Sequence, residues 1–261
     1  MDFIRISKKH SFWSSLAHIF LNILLAAVVW LSVYILKSPW LGILLVFISK
    51  WRTFAVRPRF WLANVKSNLV DLIFSLSIVI LMYATGVEFI ASQILLASIY
   101  AVWLTVIKPR SDEFSMKAQS LAMVFFGYSA LFSVTFGWPE IVVVILAFLI
   151  GYSAIRHILS IRTNSNLEIL SLFWGLIIAE IAWILNYWII GYQIKVAESF
   201  HFVIPQAAII FTALHFAAFE IFTPDKEEKP KTLANILPEV TFSALVILTL
   251  LIFFSSMPVP K

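Results

Sequence analysis

The feature that most constrains this chain is a succession of apolar runs, each close to the length a bilayer demands. A spanning helix needs about 20 mostly apolar residues, because each adds about 1.5 Å through a hydrocarbon core about 30 Å thick. Nine stretches meet that ruler: 14–36, 40–56, 67–84, 88–107, 117–136, 139–158, 168–190, 203–222 and 237–256. They predict an all-α fold, a polytopic transmembrane helix bundle of about nine spans forming one domain over residues 1–261. Lipid offers free backbone groups no partner, and these runs exceed the roughly 9–11 residues of a barrel strand, so helices are the expected solution.

Composition agrees. The chain is 61% hydrophobic and 13% charged, against about 45–50% and 25% in soluble domains. The longest connections, 50–66, 191–202 and 223–236, are too short for a soluble catalytic domain. With no cysteine, disulfides, thiolate metal sites and cysteine nucleophiles are excluded. There is no phosphate-cradling glycine loop, no aspartate-rich pair suited to a diphosphate and no paired ligand motif, so the sequence calls for no cofactor and no metal. His18, His157, His215 and Glu220 lie toward one side of the membrane in this reading, but lack the spacing of a metal site.

Charge placement suggests an orientation. Arg5, Lys8 and Lys9 precede a first apolar run longer than the roughly 7–15 residues of a signal-peptide core, so an uncleaved first span is expected. Nine spans with a cytoplasmic N-terminus put sixteen Lys and Arg inside and leave Lys37, Lys195 and Lys261 outside. The second run is the weak one, since Lys50 and Arg52 follow a short apolar core. If it dips and returns, the better split is fourteen to five. The expectation is an inner-membrane protein with its N-terminus cytoplasmic and its C-terminus extracytoplasmic.

Residues 50–66 interleave basic and aromatic side chains. Beside a span, Trp51, Arg52, Arg57, Arg59 and Trp61 read as an interfacial segment on anionic lipid, at about 1 kcal/mol per basic residue, rather than as a nucleic-acid surface. The expected partners are the bilayer with its anionic lipids, and a membrane protein or a second copy of the chain. The stretch Trp51-Arg52-Thr53-Phe54-Ala55-Val56-Arg57-Pro58-Arg59-Phe60-Trp61 is followed by Asn64, Asn68 and Asp71. With Trp174-Gly175, Ala179-Glu180, Trp183 and Pro205-Gln206, it resembles polytopic proteins of candidate-phylum bacteria with reduced genomes. That resemblance implies a bacterial inner membrane and brings no activity with it.

The residues a bilayer makes costly are few. Glu88, Glu140, Glu168 and Glu239 fall at predicted helix starts, where the helix dipole favours them. Asp71 is expected to bridge to Lys66 near the inner face, and Arg156 and His157 to reach for headgroups. Glu180 lies about 18 Å into the seventh run, where an ionised carboxylate costs at least about 2.5–3.5 kcal/mol. By depth, Thr212 and His215 on the eighth run are its expected neighbours, and Asn186 should pair with Gln206. These five residues predict a polar seam, either one wall of a substrate or ion pathway or interhelical glue.

Two classes of function follow. The first is a small carrier or permease, or a membrane subunit of an assembly, with Glu180 as a buried polar site. The alternative is an intramembrane hydrolase using Ser129 and His215. Gly127-Tyr128-Ser129-Ala130 and the late His215 look like the Gly-x-Ser and histidine of rhomboid-type serine proteases. Against it, two predicted spans intervene and Ala130 replaces the second glycine. The pattern also recurs at Gly151-Tyr152-Ser153-Ala154, so close packing of successive helices through small residues explains both copies.

Overall fold

The computed structural model describes residues 12–160, 166–188, 190–222 and 233–255. Arg5, Lys8, Lys9, Arg162, Lys226, Lys229, Lys231 and Lys261, which weigh in the charge argument, lie outside them. Among the described residues there are nine α-helices and one β-hairpin: α1 Phe12–Leu36, α2 Trp40–Ser49, α3 Trp61–Thr85, α4 Ile90–Val102, α5 Glu113–Val134, α6 Glu140–Leu159, α7 Leu167–Leu185, β1 Gly191–Ala197, β2 Phe200–Pro205, α8 Gln206–Phe222 and α9 Leu233–Phe253. The end at which α1 begins is called the near end here, and the hairpin end the far end.

Six helical segments among the described residues are long and apolar enough to cross a membrane, not nine. Three of the predicted spans depart for different reasons. The second contains only the ten residues of α2, which rise about 15 Å, half a hydrocarbon core. Two 3-10 turns, Trp51–Thr53 and Pro58–Phe60, carry the chain on to α3. The eighth is cut to seventeen residues because 191–205, expected as a loop running into the helix, pairs as an antiparallel hairpin from Gly191↔Pro205 to Ala197↔Phe200. The fifth, α5, has the length but carries Glu113, Lys117, Gln119 and several serines. It can do so because it lies inside the bundle, against α3, α6 and α8.

The core is one continuous cluster. Phe74, Ile78 and Met82 of α3, Met123 and Tyr128 of α5, Ile155 of α6 and Phe211 and Phe219 of α8 are all fully buried. Around this core the surface is apolar as well: Phe20, Leu62, Ile141, Ile169, Ile184 and Ile252, on five different helices, are exposed. A bundle apolar both inside and outside is what lipid-facing helices require, since a soluble domain exposes no belt of this kind.

Glycines set the tightest contacts. A Cβ on Gly151 would lie 3.0 Å from Ile178 of α7, and one on Gly175 would lie 2.9 Å from the Phe148 ring of α6. Small residues on both members of the pair bring α6 and α7 together. At Gly127 the approach is looser, 3.3 Å from the end of Ile150. The repeated Gly-Tyr-Ser-Ala thus lies at helix contacts on α5 and α6. α9 is peripheral, leaning on α8 with most of its surface exposed. It runs through Pro238 without breaking, so Glu239 sits within the helix rather than at its start.

Candidate functional site

Polar side chains at the near end tie helices together. Glu168 of α7 accepts from Tyr152 Oη at 2.7 Å, Lys66 Nζ at 3.3 Å and Arg156 Nε at 3.3 Å. Gln119 donates to the carbonyls of Ile107 and Arg110, so its own carbonyl accepts from His157 Nε2 at 3.0 Å. Lys117 bridges to Glu220. Arg156 and His157 are therefore held by protein groups, and Lys66 is given to Glu168 rather than to Asp71.

Asp71 has other partners. It is buried on α3, where it meets Lys50 from the end of α2 and Lys108 Nζ at 2.7 Å and accepts from Trp103 Nε1 at 3.0 Å. The Trp103 ring stacks on Phe74 at 3.7 Å and sits at the start of a π-helical turn, Trp103–Ile107, that ends α4. One extra residue in that turn, closed by Lys108 N–H to the Trp103 carbonyl at 2.8 Å, turns both Trp103 and Lys108 toward the carboxylate. Taking an ion pair out of water is costly unless further bonds satisfy it, and here two ammoniums and an indole do so. The short α2 is pinned at its end by Lys50.

The interfacial segment folds onto the first turns of α3. Trp61 Nε1 donates to the carbonyls of Phe54 at 3.0 Å and Val56 at 2.9 Å, and the Asn64 amide donates to the Thr53 carbonyl at 2.6 Å. Trp51, Arg52, Arg57, Arg59 and Trp61 are all exposed.

The predicted polar seam does not assemble as expected. Glu180 is exposed on a face of α7 turned away from the bundle, with no hydrogen bond or ion pair among the described residues. Because α7 ends at Leu185 rather than near 190, Glu180 is also only about 7.5 Å from the far end of its helix by rise. Thr212 donates to the Ala208 carbonyl of its own helix. His215 is fully buried among the rings of Tyr128, Trp174 and Phe219, and its Nδ1–H donates to the Phe211 carbonyl at 2.8 Å. Gln206 pairs with Trp188 rather than Asn186, accepting from its indole at 2.6 Å and donating to the Leu250 carbonyl at 2.9 Å.

Nor do Ser129 and His215 form a nucleophile and base. Both are buried, yet Ser129 Oγ and His215 Nε2 are each without a hydrogen-bond partner, so they do not bond to each other. A serine without a base in reach has nothing to activate it. His18 is exposed on α1, and His157, His215 and Glu220 are engaged separately. Among the described residues no group of three or more His, Asp or Glu could hold a metal ion.

What the sequence left hidden is a cavity of about 560 Å³ at the far end. Its walls are the ends of α3 and α5, the end of α7 and the start of α8, and the hairpin roofs it. Leu81, Leu185 and Ala207 are buried in its floor, whereas Ala84, Phe136 and Trp188 are exposed at its rim. The hairpin is anchored on both sides. Ser92 Oγ donates to the His201 carbonyl and accepts from the His201 N–H, both at 2.9 Å, while Ala91 N–H donates to the Ser199 carbonyl. On the other side Gln206 N–H donates to the Ile190 carbonyl at 2.8 Å. Only Asn186 of the predicted site residues lines this cavity. The one signal in the sequence was the run Gly191–Pro205, where Tyr192, Ile194, Val196, Phe202 and Val203 give strand-forming residues flanking Glu198-Ser199.

Fold and cavity define a class, a helical bundle whose helices suit a membrane, with a largely apolar pocket at one end. The chain matches no protein-family model, no curated protein and no solved structure.

Proposed function

We propose that the protein is a multi-pass membrane protein that binds a small, largely apolar molecule in the far-end cavity, as the binding step of a carrier. The observation that carries this reading is the cavity itself, of the size and lining of a ligand pocket. We infer in addition that the near end is cytoplasmic and the hairpin extracytoplasmic, in a bacterial inner membrane. Support comes from the sixteen-to-three division of basic residues. The exposed Arg52, Arg57 and Arg59 then lie at the inner interface, where anionic headgroups complement them.

An aliphatic diazirine tests the binding step. Photolabelling of the purified chain should concentrate on segments 132–136 and 201–207 and be lost in Ala207→Trp, which fills the floor. Labelling spread over lipid-facing helices, unchanged by Ala207→Trp, would overturn the reading.

A second reading, that of a membrane subunit of an assembly, is favoured by Glu180. Side chains tilt toward the start of their helix, so this carboxyl points away from the far-end interface. A neighbouring chain offering a donor would relieve its cost. Membranes solubilised in mild detergent should yield a species larger than the single chain, lost in Glu180→Leu and kept in Glu180→Gln. Migration at single-chain size in wild type would remove this reading.

A further inference from the structure

The cavity's hydrogen-bonding capacity can be followed group by group. Thr85 Oγ1 donates to the Leu81 carbonyl, Ser133 Oγ to Ser129 and Thr135 Oγ1 to Leu131, each one turn back in its own helix. The Trp188 indole N–H is spent on Gln206. One lining side-chain amide remains. His201 Nε2 has no hydrogen-bond partner, but it is enclosed, with the Phe89 ring 4.8 Å from its own, and turns no surface to the cavity. The Asn186 amide lines the cavity, is only half-buried, and makes no hydrogen bond among the described residues, so both its N–H and its carbonyl are open to a ligand.

Charge sharpens the chemistry further. Among the described residues no Asp, Glu, Lys or Arg lines the cavity, so a charged headgroup would enter a largely apolar enclosure without a counter-ion, at a cost that neutral groups avoid. The walls are aliphatic and aromatic, with Leu81, Phe132, Phe202 and Val203 among them.

We propose that the far-end cavity takes a neutral amphiphile, an aliphatic chain ending in a hydroxyl or amide, with that end held by Asn186. A hydroxyl both donates and accepts, so it can pair with either end of the side-chain amide. This inference rests on the reading of the cavity as a binding site and adds the class of ligand to it.

The test uses the full chain in detergent, with tritiated decanol as probe and unlabelled decanol, decane and decanoate as competitors. Decanol should bind saturably and be displaced about tenfold better by decanol than by decane, the value of one or two neutral hydrogen bonds. Decanoate should compete more weakly than decanol. Asn186→Leu should lower decanol affinity about tenfold and leave competition by decane unchanged. Thr105→Val, away from the cavity, removes a hydroxyl already spent on the Ala101 carbonyl one turn back and should leave both unchanged. The Asn186 side chain makes no hydrogen bond among the described residues, so Asn186→Leu is expected to keep the fold. Equal competition by decane and decanol, indifferent to these substitutions, would overturn the assignment of the polar end while leaving cavity binding standing. Tighter competition by decanoate would overturn the neutral headgroup. An absence of saturable decanol binding, with no effect of Ala207→Trp, would sink the cavity as a binding site and this inference with it.

Discussion

At the scale of single residues, the costly side chains divide into those that the fold has paired and those it has not. Asp71 belongs to the first group. Removing it leaves the buried Lys50 ammonium without its partner, and breaking a buried pair on one side destabilises by about 3–5 kcal/mol. Asp71→Leu should show a loss of that size in denaturant unfolding in detergent. Asp71→Leu with Lys50→Met should recover most of it, because Lys108 is 41% exposed and can turn to solvent. Equal stability of the single and double variants would mean that Lys50 is not what Asp71 holds. Glu180 belongs to the second group. Its place on an apolar helix was legible in the sequence, but its distance from the far end was not, since α7 stops at Leu185, and neither was its direction, because one residue's turn of 100° about a helix decides between bundle and lipid.

Elements were legible to different degrees. The six long apolar helices follow from hydropathy alone, since any run of that length must cross or be wholly buried. α2 could not be bounded this way. Its apolar residues continue toward Val56, and it stops at Ser49 because Lys50 turns inward to a carboxylate twenty-one residues further along the chain. The hairpin was missed because its alternation abuts α8 with no polar break. Glycine contacts were half legible: the repeated Gly-Tyr-Ser-Ala announced close packing, and the structure adds how close. Gly175→Ala would push a methyl into the Phe148 ring and to 3.2 Å from the Phe148 backbone carbonyl, whereas Gly127→Ala meets only the flexible end of Ile150. Overpacking of this kind costs about 1–3 kcal/mol. Thermal unfolding should therefore place Gly175→Ala in that range and Gly127→Ala clearly below it. The reverse order would mean that α6 and α7 can separate freely.

For the molecule as a whole, the question is which end faces which side. The chain has no cysteine, so single substitutions report cleanly. Glu198→Cys at the hairpin turn should react with an impermeant maleimide added to intact cells, and Arg57→Cys should react only after the membrane is opened. Labelling of Arg57→Cys in intact cells would reverse the inferred orientation. The sequence by itself determined that the chain is a helical bundle suited to a bilayer, and roughly where its helices run, because hydropathy and backbone satisfaction are properties of each segment alone. Tertiary structure decided which carboxylates are paired, that α2 stops halfway, and that a hairpin roofs a cavity with an unspent amide, Asn186, at the end of α7. Those features depend on the rotation of each helix and on contacts between residues far apart in the chain, and no local pattern of residues encodes either.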